Sequence, residues 1–200
     1  MRTLILLRHA ERPSIPDNQV GNKAMLTEQG KQDSRLFASQ IDGTVVRIKS
    51  SPIGRCIQTA ELIATETGYP ANEIETSCLL GDPGFIIEDG ELAWKHWQEK
   101  GHSAVNQHLL SGKEHWDGFS DLNKAVNMMT EVIQSQLAQS EPGVHIWVTH
   151  DTILATYAAR ILPRPLSMDQ WPDFLGFLMA TLLDDGKLSF SYQANLNLDT

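Results

Sequence analysis

The chain has 200 residues, 41% hydrophobic and 20% charged, which is enough apolar material for a full core in one domain spanning residues 1–200. Its formal net charge of -9 argues against a nucleic-acid binder or an anionic-membrane binder, since both need a basic surface. A small anionic substrate stays open, because a few arginines can dominate the field of one pocket.

Residues 3–7 are a continuous apolar run that stops at a charged, proline-containing loop, as a buried parallel strand does. Residues 27–41 carry Leu36, Phe37 and Ile41 at helical spacing, with Thr27 as N-cap and Asp42-Gly43 as the stop. Residues 45–49 predict a second strand. Beyond Ser51-Pro52, residues 53–67 predict a helix with Ile57, Ala60, Leu62, Ile63 and Ala64 on its apolar side and Gly68 as its C-terminal cap. A third strand is expected over 73–80, before the turn Gly81-Asp82-Pro83-Gly84.

Periodicity weakens over residues 88–118, which hold His96, His102, His108 and His115 together with Trp94, Trp97 and Trp116. Short helices and loops laid over the domain are expected there. Residues 119–139 predict a helix packed on a sheet, 144–148 a strand and 152–162 another helix. Residues 175–183 and 187–192 predict an antiparallel pair around Asp185-Gly186. Strand alternating with helix predicts an α/β class, a three-layer α/β/α domain with a mostly parallel central sheet.

Cys56 and Cys78 lack Cys-x-x-Cys spacing and suit half-buried structural thiols in a reducing compartment. The apolar stretch 4–7 is too short for a signal peptide or a membrane span. A cytoplasmic location with no membrane partner is the expectation. The central histidines match no compact metal site, and neither a metal nor a cofactor is expected.

Open parallel sheets place ligands at the carboxyl ends of their strands, and three polar clusters sit at such ends. They are Arg8-His9-Ala10-Glu11-Arg12-Pro13, Ser50-Ser51-Pro52-Ile53-Gly54-Arg55 and Thr149-His150-Asp151-Thr152. Arg8, Arg12 and Arg55 are planar forks suited to phosphate oxygens. His9 and His150 offer imidazoles, and Asp151 a carboxyl able to manage a proton. Phosphoryl transfer needs charge neutralisation, an in-line nucleophile and a protonated leaving group. This inventory supplies all three.

The motifs Leu7-Arg8-His9-Ala10-Glu11-Arg12-Pro13, Ser50-Ser51-Pro52-Ile53-Gly54-Arg55-Cys56-Ile57-Gln58-Thr59-Ala60 and Val148-Thr149-His150-Asp151 resemble those of the histidine phosphatase superfamily. The resemblance implies a phosphoglycerate mutase-like fold and a phosphohistidine intermediate on His9. It also implies a phosphate pocket of Arg8, Arg55 and His150, with Arg12 as a further ligand. The activity implied is hydrolysis of a phosphomonoester, on a small phosphorylated metabolite or a phosphorylated protein. The rivals are a mutase returning the phosphoryl group to a bound acceptor and a phospho-ligand binding module without turnover. Arg-His-x-x-Arg with His-Asp looks like the acid phosphatase and phytase branch, although Pro13 lies one position early and Ala10 stands where Gly is usual. The length looks like the small branch that includes phosphoglycerate mutases.

Each residue also has a plainer reading. Asp151 is the expected general acid, with His150 beside it, but it is equally a cap for the helix at Thr152. Asp82 is the competing acid, or simply a turn residue. Arg8 abuts an apolar strand and needs an anion or carboxylate partner. Arg55 lies at the helix end that disfavours a cation, which a bound phosphate, Glu61 or plain exposure would each explain. Trp94, Trp97 and Trp116 are either core cover or, with the rest of 88–118 and the segment 163–174, determinants of access to the pocket.

Overall fold

The computed structural model describes residues 1–16, 19 and 21–196. Six strands form a sheet in the order β3-β2-β4-β1-β5-β6. They are β1 (Arg2–Arg8), β2 (Val45–Ser50), β3 (Glu75–Thr76), β4 (Gly143–Thr149), β5 (Phe177–Leu182) and β6 (Leu188–Gln193). The first four strands of that order run parallel, whereas β5 pairs antiparallel with both β1 and β6.

Side-chain alternation along β1 and β4 divides the core. Ile5, Leu7, Ile146 and Val148 pack against α1 (Glu28–Ser39) and α2 (Gly54–Thr67). Leu4, Leu6 and Trp147 pack on the other face against α3 (Gly90–Ser111), α4 (Leu122–Gln139) and α5 (Asp151–Ile161). The expected three-layer α/β/α architecture with a mostly parallel sheet is present.

Register decides where the polar clusters land. Arg8 pairs with Thr149 across β1 and β4, and Ser50 pairs with Val148 across β2 and β4. The three strands therefore end at one level, and the three loops leave the same rim. Among the described residues no helix is long and apolar enough to cross a membrane.

Four expectations need correction. Residues 73–80 are not a full strand: only Glu75 and Thr76 pair at the sheet edge. They lie between single 3-10 turns, the second started by the Ser77 hydroxyl accepting from the Leu79 amide. Residues 90–111 are two short helices, as expected, but they run directly together at Gly101 with no loop between them. The φ of 78° there is non-helical, and glycine reaches it without strain. Phe119 precedes α4 and bridges to Ile87, and the helix begins at Leu122 under the Asp121 cap. Cys78 is exposed rather than half-buried, while Cys56 is buried.

Thr27 caps α1 by accepting from the Gly30 amide at 2.9 Å, as the sequence suggests, and the Thr27 amide donates to the Glu11 carbonyl. Helix α1 thus presses directly on the loop that follows β1. A Cβ built at Gly30 would lie 2.3 Å from the Glu11 carbonyl oxygen. Alanine is the better helix former by about 1 kcal/mol, but this contact is backbone and cannot swing aside. Gly30→Ala is therefore expected to lower the urea midpoint. A raised midpoint would show that helix and loop do not approach this closely.

Candidate active site

Helix α2 and the ends of β1 and β4 converge on His9. Its amide donates to the Thr149 carbonyl at 2.9 Å, continuing the β1–β4 ladder one residue past the strand. The ring nitrogen Nδ1 lies 2.8 Å from the Ala10 carbonyl oxygen. A carbonyl only accepts, so Nδ1 carries the proton and Nε2 keeps its lone pair. Arg55 Nε donates to that Nε2 at 3.0 Å.

His9 is 2% exposed. Burial pushes its pKa well below the ordinary histidine range, and the charges of His150, Arg55 and Arg8 push it further, against the bond to Ala10. The imidazole is consequently neutral at neutral pH. A neutral ring with a lone pair aimed into a cationic pocket is the state a nitrogen nucleophile requires.

Arg55 is buried, which excludes plain exposure, and Glu61 is not its partner. Its guanidinium bonds His9 Nε2, the Gly21 carbonyl at 3.0 Å and His150 Nδ1 at 3.3 Å. A guanidinium only donates, so His150 Nδ1 accepts and Nε2 donates to the Ser51 hydroxyl at 2.9 Å. Burial, then the charge of Arg55, pushes the His150 pKa down to about 3. The two imidazole rings meet edge to face at 5.5 Å between centroids.

Arg8 finds its carboxylate. Nη2 lies 3.4 Å from Asp151 Oδ2, Nη1 donates to the Pro172 carbonyl at 2.6 Å, and the Phe174 ring lies 4.3 Å beneath the guanidinium carbon. Asp151 Oδ2 also accepts from Trp171 Nε1 at 3.2 Å. Burial raises the Asp151 pKa, but Arg8 and Trp171 outweigh it and hold the carboxyl at about 2. Asp151 is the first residue of α5, with His150 in the cap position. Its one bond to the helix, from the Thr152 amide to Oδ1, is local. Its principal engagement is with Arg8 and Trp171, so capping does not account for it.

Arg12 lies further out. Its Nη1 donates to the Pro13 carbonyl, while its Nε and that of Arg8 are buried with no hydrogen-bond partner among the described residues. Among the described residues, buried Arg8 and half-buried Arg12 share a single carboxylate, Asp151, and unpaired donors there are costly. An oxyanion would satisfy those donors.

Several supporting residues carry little or no sequence signal of their own. Thr59 Oγ1 accepts from the Ala10 amide at 3.1 Å, and Gln58 Oε1 accepts from the Leu26 amide. The Gln-Thr continuation of the second motif therefore ties the loop after β1 and the segment before α1 to α2. Ala10 is buried and absent from the positive-φ residues, so the methyl group in place of glycine causes no strain there. Thr149 Oγ1 donates to the Leu80 carbonyl, which brings the 81–84 turn over the pocket. A Cβ on Gly81 would sit 2.4 Å from Ser51 Oγ and 2.5 Å from His150 Nε2, so that position needs glycine. Trp171, Pro172 and Phe174 all come from the 163–174 segment, where no motif marks them.

Above this floor opens a cavity of about 380 Å³ whose lining includes Arg12, Arg55, Asp82, His150 and Asp151. Asp82 is exposed at its wall and forms no ion pair among the described residues. Trp94 and Trp97 line it as well. Trp116 does not: it stacks on His108 at 3.9 Å, against the core. Among the described residues no cluster of three or more His, Cys, Asp or Glu side chains has the arrangement of a metal site.

Neutral His9 and His150 make the fold sensitive to acid. Below about pH 6.5 the unfolded histidines take up protons that the folded ones refuse, so stability falls with pH, by about 1.4 kcal/mol per pH unit per histidine at most. Asp151 acts in the same sense but only nearer pH 4, where the unfolded carboxyl protonates before the folded one. Urea unfolding followed from pH 7 to pH 4.5 should show this loss, with a shallower slope in His9→Gln. Parallel slopes for the two proteins would mean that His9 is protonated in the fold.

Residues 4–176 match the histidine phosphatase superfamily (branch 1), whereas no curated protein sequence matches the chain. Among solved structures, phosphoserine phosphatase from Entamoeba histolytica in complex with 3-phosphoglyceric acid is similar with a TM-score of 0.67, at 21% identity over 96% of both chains. A mycobacterial glucosyl-3-phosphoglycerate phosphatase gives 0.63 at 15% identity over 96% of both chains. The protein histidine phosphatase SixA, complexed with tungstate, gives 0.54 at 15% over 94% of both. Identities this low establish a shared phosphoglycerate mutase-like fold. The family match covers both loops around His9 and reaches past β4, and on that ground the chain belongs to the first branch of the histidine phosphatase superfamily.

Proposed function

We propose that the protein hydrolyses phosphomonoesters through a phosphohistidine on Nε2 of His9. The observation that carries this reading is the neutral His9 ring, its Nδ1 proton fixed on Ala10 and its Nε2 lone pair held among buried guanidiniums. Arg8, Arg55 and His150 bind the non-bridging phosphate oxygens, with Arg12 as an outer ligand. Drawn onto phosphate, Arg55 releases Nε2, which attacks phosphorus as the ester P–O bond breaks. His150 Nδ1, no longer occupied by Arg55, takes a proton from solvent and donates to phosphate. Water then attacks the P–N bond, gives its proton to the carboxyl that protonated the leaving group, and frees inorganic phosphate.

Asp151 is the proposed acid. In the free site it is ionised against Arg8, but a phosphate dianion competes for Arg8 and adds repulsion, and both raise the carboxyl pKa. A second reading gives this role to Asp82, favoured by its place on the cavity wall without an ion-pair partner among the described residues. The substrates consistent with this site are small phosphorylated metabolites or phosphorylated side chains.

Quenching turnover under mild alkali should trap an acid-labile phosphate on the peptide containing His9, and His9→Ala should lose turnover while keeping its unfolding midpoint within about 1 kcal/mol of the parent. Full activity in that variant would end the proposal, and stoichiometric ligand binding with no release of phosphate by the parent protein would mark a binding module.

For the acid, Asp151→Asn should slow alkyl phosphates by about 10²-fold or more, the usual scale of general acid catalysis, and slow aryl phosphates with acidic leaving groups far less. Asp82→Asn should show no such dependence. The reverse pattern moves the acid to Asp82.

A further inference from the structure

Beyond its phosphate end, the cavity offers neutral and apolar surface. Ile86, Ile87 and Ile153 line it together with Trp94 and Trp97. The indoles are stacked with centroids 6.3 Å apart and planes inclined by 26°. Trp97 is braced on Phe119 at 5.5 Å, itself fully buried.

This lining is built in advance. The Ser120 amide donates to the Ile86 carbonyl, and the Glu88 and Asp89 amides both donate to the Gly118 carbonyl, so the start of α3 is fastened to the core. The bend at Gly101 then turns the second half of the helix back along the cavity, bringing Asn106 to its lining. Neutral hydrogen-bonding groups are thus available from Asn106 and, across the opening, from Gln19 and Asn22.

Charge narrows the choice of ligand. Among the described residues lining the cavity, the only guanidinium or ammonium groups are Arg12 and Arg55. Arg55 is committed to the floor. Arg12 lies close enough to Arg55 and Arg8 for their charges to lower its pKa, so it too belongs to the phosphate end. Among the described residues lining the rest of the cavity, no guanidinium or ammonium remains for a second anionic group on the substrate, His102 being the imidazole there, and the Asp82 carboxylate on the wall would repel one. Flat aromatic walls favour a ring, by burial of apolar area and by offset stacking.

We infer that the Trp94–Trp97 wall is a leaving-group subsite for phosphate monoesters whose alcohol is uncharged and carries a flat, mostly apolar ring, and that esters bearing a carboxylate or second phosphate are disfavoured. The inference rests on the phosphate site proposed above, but it concerns the other end of the cavity and is tested without turnover.

The test is calorimetric binding of two hydrolysis-resistant probes, benzylphosphonate and 2-carboxyethylphosphonate, to the whole protein, with inorganic phosphate as reference. Benzylphosphonate should bind about ten-fold tighter or more than 2-carboxyethylphosphonate. Trp94→Ala should remove most of that preference with phosphate affinity unchanged, and Trp94→Phe should restore most of it. Equal or tighter binding of the carboxylate probe overturns the inference, as does a preference that survives Trp94→Ala. Phosphate release from the matching esters is scored separately. Ring selectivity without release counts against the hydrolase reading alone, and release without ring selectivity counts against the subsite alone.

Discussion

Excess buried positive charge is the constraint around which the shared rim of β1, β2 and β4 is organised. Arg55 lies in the first turn of α2, where the helix dipole disfavours a cation by about 0.3–1 kcal/mol, and Arg8 ends an apolar strand. Both are buried, at 7% and 8% exposed. In the free protein Arg55 leans on neutral acceptors: an imidazole nitrogen, a second imidazole nitrogen and the Gly21 carbonyl. Arg8 has one carboxylate, Asp151, and one carbonyl, Pro172. Those partners keep the guanidiniums in place without neutralising them. The same excess charge, together with burial, keeps His9 unprotonated. One electrostatic condition therefore underlies both the proposed anion site and the proposed nucleophile.

The rest of the fold holds that arrangement rigid from three directions. Parallel pairing of β1, β2 and β4 aligns the loops. Helix α1 and the Gln58 and Thr59 side chains of α2 fix the loop after β1 from one face. The 163–174 segment closes from the other side, with Phe174 beneath Arg8 and within 5.8 Å of the His9 ring.

Much of this was legible in the sequence because it depends on local pattern. The apolar runs of β1 and β4 are continuous since both faces of the sheet are covered, and the polar clusters sit where those runs stop. Thr27 and Gly68 mark helix ends by their own chemistry. What escaped was set by tertiary context. The direct join between the two halves of α3 hides behind a glycine and a mixture of His and Trp that blurs the periodicity, although the second half buries Val105, Leu109 and Leu110. β-Propensity over 73–80 was overridden by an edge position that offers β3 only two pairing residues. The partners of Arg8 and Asp151 come from residues 171–174, more than 160 positions away from Arg8, and no local signal announces such contacts. Ser51 and Thr59 lay within a visible motif, yet their roles, a hydroxyl on His150 and a hydroxyl on the Ala10 amide, appear only once the strands are aligned.

The central claim is that Arg8, Arg55, His9 and His150 form one oxyanion site poised for attack by Nε2 of His9. A crystal structure with vanadate or tungstate tests it most directly. The account predicts the metal atom within bonding reach of His9 Nε2, its oxygens on Arg8, Arg55 and His150, and the Arg55–His9 and Arg8–Asp151 contacts lengthened or broken. An anion bound elsewhere, with both contacts unchanged, would contradict it.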